Sequence, residues 1–174
     1  LPEDRKQAGA FMQMSIKENS VAATIDDITK CGIIDNKLAK ENTLSMIQKL
    51  NTKVGSINDR ILSLSGGNQQ KIILSRWLLA NPKILIADEP TRGIDVGAKF
   101  EIYQILRSLA DSGMAIILIS SELPEIIGMS DRILTVYKGS VSMIIDSHDP
   151  ALEEKIGAGI MGLSFDKSGG EVVQ

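Results

Sequence analysis

Lys83-Ile84-Leu85-Ile86-Ala87-Asp88-Glu89-Pro90-Thr91 is the stretch on which the fold class turns. Its four apolar residues, set off by Asn81-Pro82, predict a short strand buried on both faces, as in sheets with helices above and below. The strand delivers Asp88 and Glu89 side by side at its C-terminal end, where α/β sheets place ligands. Downstream, a helix is predicted from about Val96 to Ser112, stopped by Gly113. Ala115 to Ser120 reads as a second buried strand, Leu123 to Gly128 as a short helix begun by Pro124, and Arg132 to Tyr137 as a third strand. This alternation predicts an α/β fold. Lys138-Gly139 offers a tight turn into Ser140 to Asp146, which predicts a hairpin. Pro150 to Leu163 reads as a helix and Asp166 to Gln174 as a frayed tail.

Upstream of the strand the pattern changes. Ser15-Ile16-Lys17-Glu18 has the form of a capping box, so a helix should follow it. A second helix is predicted from Asn36 to Leu50, with Leu44, Ile47 and Leu50 inward and Lys40, Glu41 and Lys49 outward. Residues 15 to 80 are therefore expected to be mainly helical.

Composition narrows the classes. With 43% hydrophobic and 24% charged residues in 174, the chain has the make-up of an ordinary packed domain. A formal net charge of -3 gives no basic footprint for neutralising phosphates, which argues against nucleic acid as a partner. Single copies of cysteine, Cys31, and histidine, His148, exclude an internal disulfide and disfavour a Cys/His metal site, in keeping with a reducing compartment. Cys31 is expected to be a buried or half-buried small apolar group and His148 a surface loop residue. The apolar runs fall far short of the roughly 20 residues that span a bilayer. The opening Leu1-Pro2-Glu3-Asp4-Arg5-Lys6 lacks an initiator Met and a signal peptide's apolar stretch, and predicts a segment of a larger parent.

Leu64-Ser65-Gly66-Gly67-Asn68-Gln69-Gln70-Lys71 is a polar, glycine-bearing turn leading into the apolar helix Ile72 to Leu79. Two glycines let an anion approach the backbone, the free amides and positive dipole end of the helix attract it, and Ser65 adds a hydroxyl donor. By itself this could be a plain helix cap. Asp88 and Glu89 could hold a cation and orient a water, or could be a solvated pair at a strand end. Asp95, in Thr91-Arg92-Gly93-Ile94-Asp95-Val96-Gly97-Ala98, has the form of a helix N-cap.

In this order and separation the three segments resemble the signature, Walker B and D-loop motifs of ATP-binding-cassette ATPases, and the form with Asn68, Gln69, Gln70 and Lys71 resembles the sugar-importer branch. The resemblance implies the C-terminal part of a P-loop NTPase cassette, the helical subdomain and Walker B half of the second nucleotide-binding domain of a bacterial ribose/galactose-type sugar importer, whose ATP hydrolysis would drive sugar uptake. It divides the chain into a Q-loop-like segment at 1–14, a helical subdomain with the signature at 15–80, an α/β core with Walker B, D-loop and switch region at 81–148, and a C-terminal helix and tail at 149–174. It implies ATP and Mg2+ as ligands, with Ser65, Gly66, Gly67, Asn68 and Gln69 closing over nucleotide held by an opposing domain and Asp95 at the junction. Asp88 would hold the magnesium, directly or through water. Glu3, in the usual place of a glutamine, would be the second magnesium residue, through water or directly, and Glu89 would orient the attacking water. Ser121 stands where the family usually presents a histidine that touches the terminal phosphate, which makes it the second catalytic candidate; it could donate a hydrogen bond there but carries no charge, and it has the form of an N-cap for the following helix.

No Gly-x-x-x-x-Gly-Lys-Ser/Thr loop is present. The nearest spacing, Gly157 to Ser164, has Leu163 where lysine is required and is assigned to the tail helix. The family carries that loop upstream of the region where this chain begins. The resemblance further implies a head-to-tail arrangement with a first nucleotide-binding domain or a second copy, and transmembrane permease subunits docking near Gln7 to Ser20. It implies a periplasmic or lipoprotein sugar-binding protein acting indirectly, and a place at the cytoplasmic face of the cell membrane. Two rivals remain open: a non-transport ATPase of the same family and an inactive truncated fragment.

Overall fold

The computed structural model describes residues 1–3, 8–165 and 172–173. The chain forms two compact units, Leu1–Ser121 and Glu122–Gln174. The division falls inside the segment 81–148.

In the first unit the Ser15 hydroxyl accepts from the Glu18 amide and the Glu18 carboxylate accepts from the Ser15 amide, completing the capping box. Helix α1, Ile16–Val21, follows. The Ser15 hydroxyl bond holds the Glu18 carboxyl below its ordinary pKa. A hairpin absent from the sequence expectation comes next. Strands β1, Thr29–Lys30, and β2, Ile33–Ile34, pair antiparallel. Cys31 and Gly32 between them both have positive φ, 50° and 77°, as a type I′ turn requires. Cys31 is therefore exposed at a turn tip, not buried as expected.

Asp35 caps helix α2, Asn36–Lys49, by accepting from the amides of Lys37 and Leu38. Ala39 and Thr43 are its buried residues; Ile47 packs on a core cluster and the C-cap Leu50 is buried, as expected, but Leu44 is exposed. Helix α3, Gly66–Leu79, is the centre of this unit, with its residues from Gln69 to Arg76 all buried. Ile16, Ile61 and Ile72 form one core cluster, and Val21, Ile28 and Ala39 a second. Near its C-terminal end, Arg76 donates to the backbone oxygens of Asn19 and Gly9 and to Asn19 Oδ1, each at 2.8 Å. It also lies 5.0 Å from the centre of the Phe11 ring. A buried guanidinium needs such a full set of partners.

Strands β3, Ile84–Asp88, and β4, Ala115–Ile119, pair in parallel with Ile86 opposite Ile117. Between them runs helix α4, Val96–Asp111, which packs against β4 and buries Ile102, Leu106 and Leu109. Leu1 bonds the other edge of β3, donating to Ile86 O and accepting from Asp88 N. The parallel pair and its crossover helix give the α/β architecture. The expectation that both strands are buried on both faces does not hold. Leu85 and Ala87 are buried, but Ile84, Ile86, Ile117 and Ile119 are 58%, 53%, 51% and 47% exposed. Alternate side chains of a strand point to opposite faces, and those of the second face are about half exposed.

In the second unit, helix α5, Leu123–Met129, precedes the hairpin of β5, Arg132–Tyr137, and β6, Ser140–Asp146. Lys138 and Gly139, with φ 47° and 80°, form its turn as predicted. Helix α6, Leu152–Met161, seats Ile156 on Ile133 and Ile145 and ends on Gly162 in the left-handed region. His148 is exposed beside Asp146. Strands β7, Ser164–Phe165, and β8, Val172–Val173, pair antiparallel, so these two tail residues are ordered in a ladder, contrary to the frayed tail expected; the rest of Asp166 to Gln174 lies outside the described residues.

Candidate nucleotide-phosphate site

The turn before α3 is built by hydrogen bonds that run backward from the helix. Ser65 is extended (φ -62°, ψ 159°) at the N-cap position, yet its side chain caps no amide of its own helix. Helix geometry leaves the amides of Gly66, Gly67 and Asn68 without an intrahelical acceptor; the first carbonyl to be used is Ser65 O, which accepts from Gln69 N. Ser65 is exposed and Gly66 half-buried, so a hydroxyl and a row of amides stand together at the positive end of α3. Gly67 is buried for a different reason. A Cβ built there would lie 2.4 Å from the Ala98 Cβ, so it is close approach to α4 that demands glycine at this position.

The polar residues that follow are engaged inside the protein. Gln69 is buried and its amide nitrogen donates to Leu64 O at 3.0 Å. Asn68 donates to Ser65 Oγ and accepts from Lys53 N, both at 3.0 Å. Lys71 is 3% exposed, pairing with Glu101 of α4 at 2.8 Å and donating to Asn51 O at 2.9 Å. The sequence reading gave Lys71 no role beyond the motif. The available signal was a lone cation ahead of the apolar run Ile72-Ile73-Leu74, which in a packed helix must find a carboxylate.

The second cluster gathers at the C-terminal end of β3. Glu89 has a positive φ of 44°, a strained conformation for a non-glycine residue and one that persists where surrounding bonds over-determine it. Its amide donates to Ile119 O at 2.9 Å and its carboxylate accepts from Ser121 N at 2.7 Å. The turn thus points the Glu89 side chain across to the end of β4. Ser121 contributes its backbone amide to this contact. The N-cap of α5 is Glu122, and it makes no side-chain cap bond, so the expected capping role of Ser121 is not realised: its amide is held by a carboxylate 32 residues away instead.

Asp88 is half-buried at the strand end. Asp95 caps α4 by accepting from Ala98 N at 2.9 Å. Glu3 forms an ion pair with Arg92 at the start of the loop leading to Asp95. Asp4 to Gln7 lie outside the described residues. Among the described residues no three His, Cys, Asp or Glu side chains gather as a cation cage. Among the described residues no helix is long and apolar enough to cross a membrane.

A family model described as ABC transporter matches residues 3–92. This chain belongs to the ABC transporter family. Among relatives of this ABC chain, the xylose import ATP-binding protein XylG of Geobacillus kaustophilus is 48% identical over 154 residues, 88% of this chain and 30% of the relative. The ribose import ATP-binding protein RbsA of Bacillus cereus is 45% identical over 156 residues, 90% of this chain and 31% of the relative. The chain therefore spans about 30% of the length of the curated relatives it matches. In fold it is similar to a dimeric ATP-binding cassette in a post-hydrolysis state bound to ADP and Pi, with TM-score 0.67, 21% identity, and coverage of 83% of this chain and 61% of that one. A second cassette of an ABC transporter has TM-score 0.69, 19% identity, and coverage of 84% and 62%.

Proposed function

We propose that this chain serves in the ATP-hydrolysing subunit of a simple-sugar importer, as one side of ATP sites closed between two cassettes. The observation that carries the reading is the start of α3, where Ser65 is exposed and makes no side-chain cap bond and helix geometry leaves the amides of Gly66 to Asn68 without an intrahelical acceptor. Such an end binds anions, and here it would meet the terminal phosphates of ATP held by an opposing nucleotide-binding domain or second copy. The relatives named for xylose and ribose import support sugar as the cargo class. Permease subunits and, indirectly, a sugar-binding protein would complete the assembly at the cytoplasmic face of the membrane.

The chain's own carboxylates serve a second site. Asp88 at the end of β3 would hold magnesium with phosphates and water, and a bound magnesium would neutralise charge developing on the transferred phosphoryl group. Glu89, clamped by the Ser121 amide, is positioned to orient and polarise the attacking water. Asp95 caps α4 at the end of the loop that follows Glu89. Ser121 places a neutral hydroxyl where a charged donor would stabilise more strongly, which lowers the expected turnover of this site.

The test is Ser65→Arg in the assembled importer. A bulky cation at this exposed position should abolish transport-coupled hydrolysis while the circular dichroism spectrum and melting temperature stay unchanged. Wild-type hydrolysis in that variant would refute the use of this helix end. Titrating the chain alone with labelled ATP and magnesium should give only weak binding, and micromolar affinity would refute the half-site reading.

A further inference from the structure

The hydrogen bonds around Ser65 settle which way its hydroxyl proton points, and one side chain decides it. Asn68 lies three residues after Ser65, one turn along α3. The Lys53 backbone amide donates to Asn68 Oδ1 at 3.0 Å. A backbone N–H can only donate, so it must face the oxygen of the side-chain amide, and this fixes the amide's orientation. The NH2 end is then the end that meets Ser65 Oγ, also at 3.0 Å. A hydroxyl that receives a hydrogen from one side must turn its own proton elsewhere. Ser65 makes no cap bond to its own helix and is exposed, so the O–H is left for a group arriving from outside, beside the helix's unpaired amides.

We propose that Asn68 is a positioning residue, which sets the Ser65 hydroxyl as a donor toward the phosphate of a nucleoside triphosphate without contacting the nucleotide itself. The proposal rests on the phosphate-binding reading of this helix end. It assigns a function to the otherwise unremarked segment after α2, because the Lys53 amide is the fixed point from which the orientation is relayed. An aspartate at position 68 would keep the shape and the bond from Lys53 N but could offer Ser65 only acceptors. The Ser65 hydroxyl would then donate inward and be lost to the phosphate.

The experiment compares Ser65→Ala, Asn68→Ala, Asn68→Asp and the Ser65→Ala/Asn68→Ala double variant in steady-state hydrolysis of ATP by the assembled importer, with melting temperatures measured alongside. Ser65→Ala is expected to lower kcat roughly a hundredfold to a thousandfold, the range for losing a preorganised donor. Asn68→Ala should lower kcat several-fold in the wild-type background and not at all in the Ser65→Ala background. Asn68→Asp should be worse than Asn68→Ala in rate yet better in melting temperature, since Lys53 N keeps its acceptor. The losses should fall on kcat more than on KM for ATP, because the opposing domain holds the nucleotide. Equal factors for Asn68→Ala in both backgrounds, with Ser65→Ala itself impaired, would overturn the positioning role alone. Ser65→Ala at the wild-type rate would overturn the phosphate reading and the positioning role with it.

Discussion

Replacing Gly67 with alanine tests whether the second signature glycine serves packing as well as phosphate. The added Cβ would stand 2.4 Å from the Ala98 Cβ, whereas carbon atoms in contact sit about 3.5–4.0 Å apart. The starts of α3 and α4 would have to separate by roughly 1.5 Å to restore that distance. Against this, alanine gains about 1 kcal/mol over glycine in helix propensity. Overpacking of a close-fitting contact costs about 1–3 kcal/mol, and because backbone must move here with the side chain the upper part, about 2–3 kcal/mol, applies. The expected net loss is about 1–2 kcal/mol, read in urea denaturation as a midpoint lower by roughly 0.5–1 M. Ala98→Gly alone should cost about 1 kcal/mol in propensity. The double variant exchanges the two residues across the contact and should return to within about 0.5 kcal/mol of the parent, a coupling well beyond that of independent sites. Gly67→Ala as stable as the parent, or a double variant no better than Gly67→Ala, would refute the argument.

Arg76→Met should cost about 3 kcal/mol or more in thermal unfolding, because three acceptors on Asn19 and Gly9 lose their donor together; Arg76→Lys should recover only part, since one amine cannot span them. Ser15→Ala should cost about 1 kcal/mol through the lost cap. The Glu18 carboxyl has a folded pKa below its unfolded value, so its contribution is present above the ordinary carboxylate range and lost as pH falls through the folded pKa; Glu18→Gln should remove that acid-dependent part of the stability curve. In the assembled importer, Glu89→Gln should lower steady-state hydrolysis less than about tenfold, while the matching change in the opposing domain should cost a hundredfold or more. The reverse ranking in ATPase assays would show that the site with Ser121 dominates.

How legible these features were depends on how local their causes are. The capping box at Ser15, the Lys138-Gly139 turn and the limits of β5 and β6 follow from residues within a few positions of one another, and they were readable. The hairpin Thr29–Ile34 was not, because two-residue strands are too short to show a period; its signal was Cys31-Gly32 alone. Leu44 misled because spacing of three fits either of two adjacent helix stripes, and the tertiary partners chose the one through Ala39 and Thr43. The outward Ile84 and Ile86 were unreadable for a related reason: an apolar strand sequence is the same whether or not anything lies over its second face. At the site, the residue types were legible from the motifs, whereas the internal engagement of Gln69, the Asn68 relay and the Ser121 amide contact depend on partners 5, 15 and 32 residues away.

The reach of Arg76 has a consequence for the order in which the molecule assembles. Its bonds close loops of 57 and 67 residues, and the Ile16–Ile61–Ile72 cluster likewise waits for its last member. During synthesis the stretch from Gly9 to Asn19 is bonded to residues 57–61 first and lacks its Arg76 fastening until α3 has left the ribosome. Contacts of such sequence separation are slow to form, and the apolar surface awaiting them is exposed meanwhile. A nascent chain whose emerged part ends before residue 72 would present Ile16 and Ile61 to chaperones, and one from which α3 has fully emerged would not.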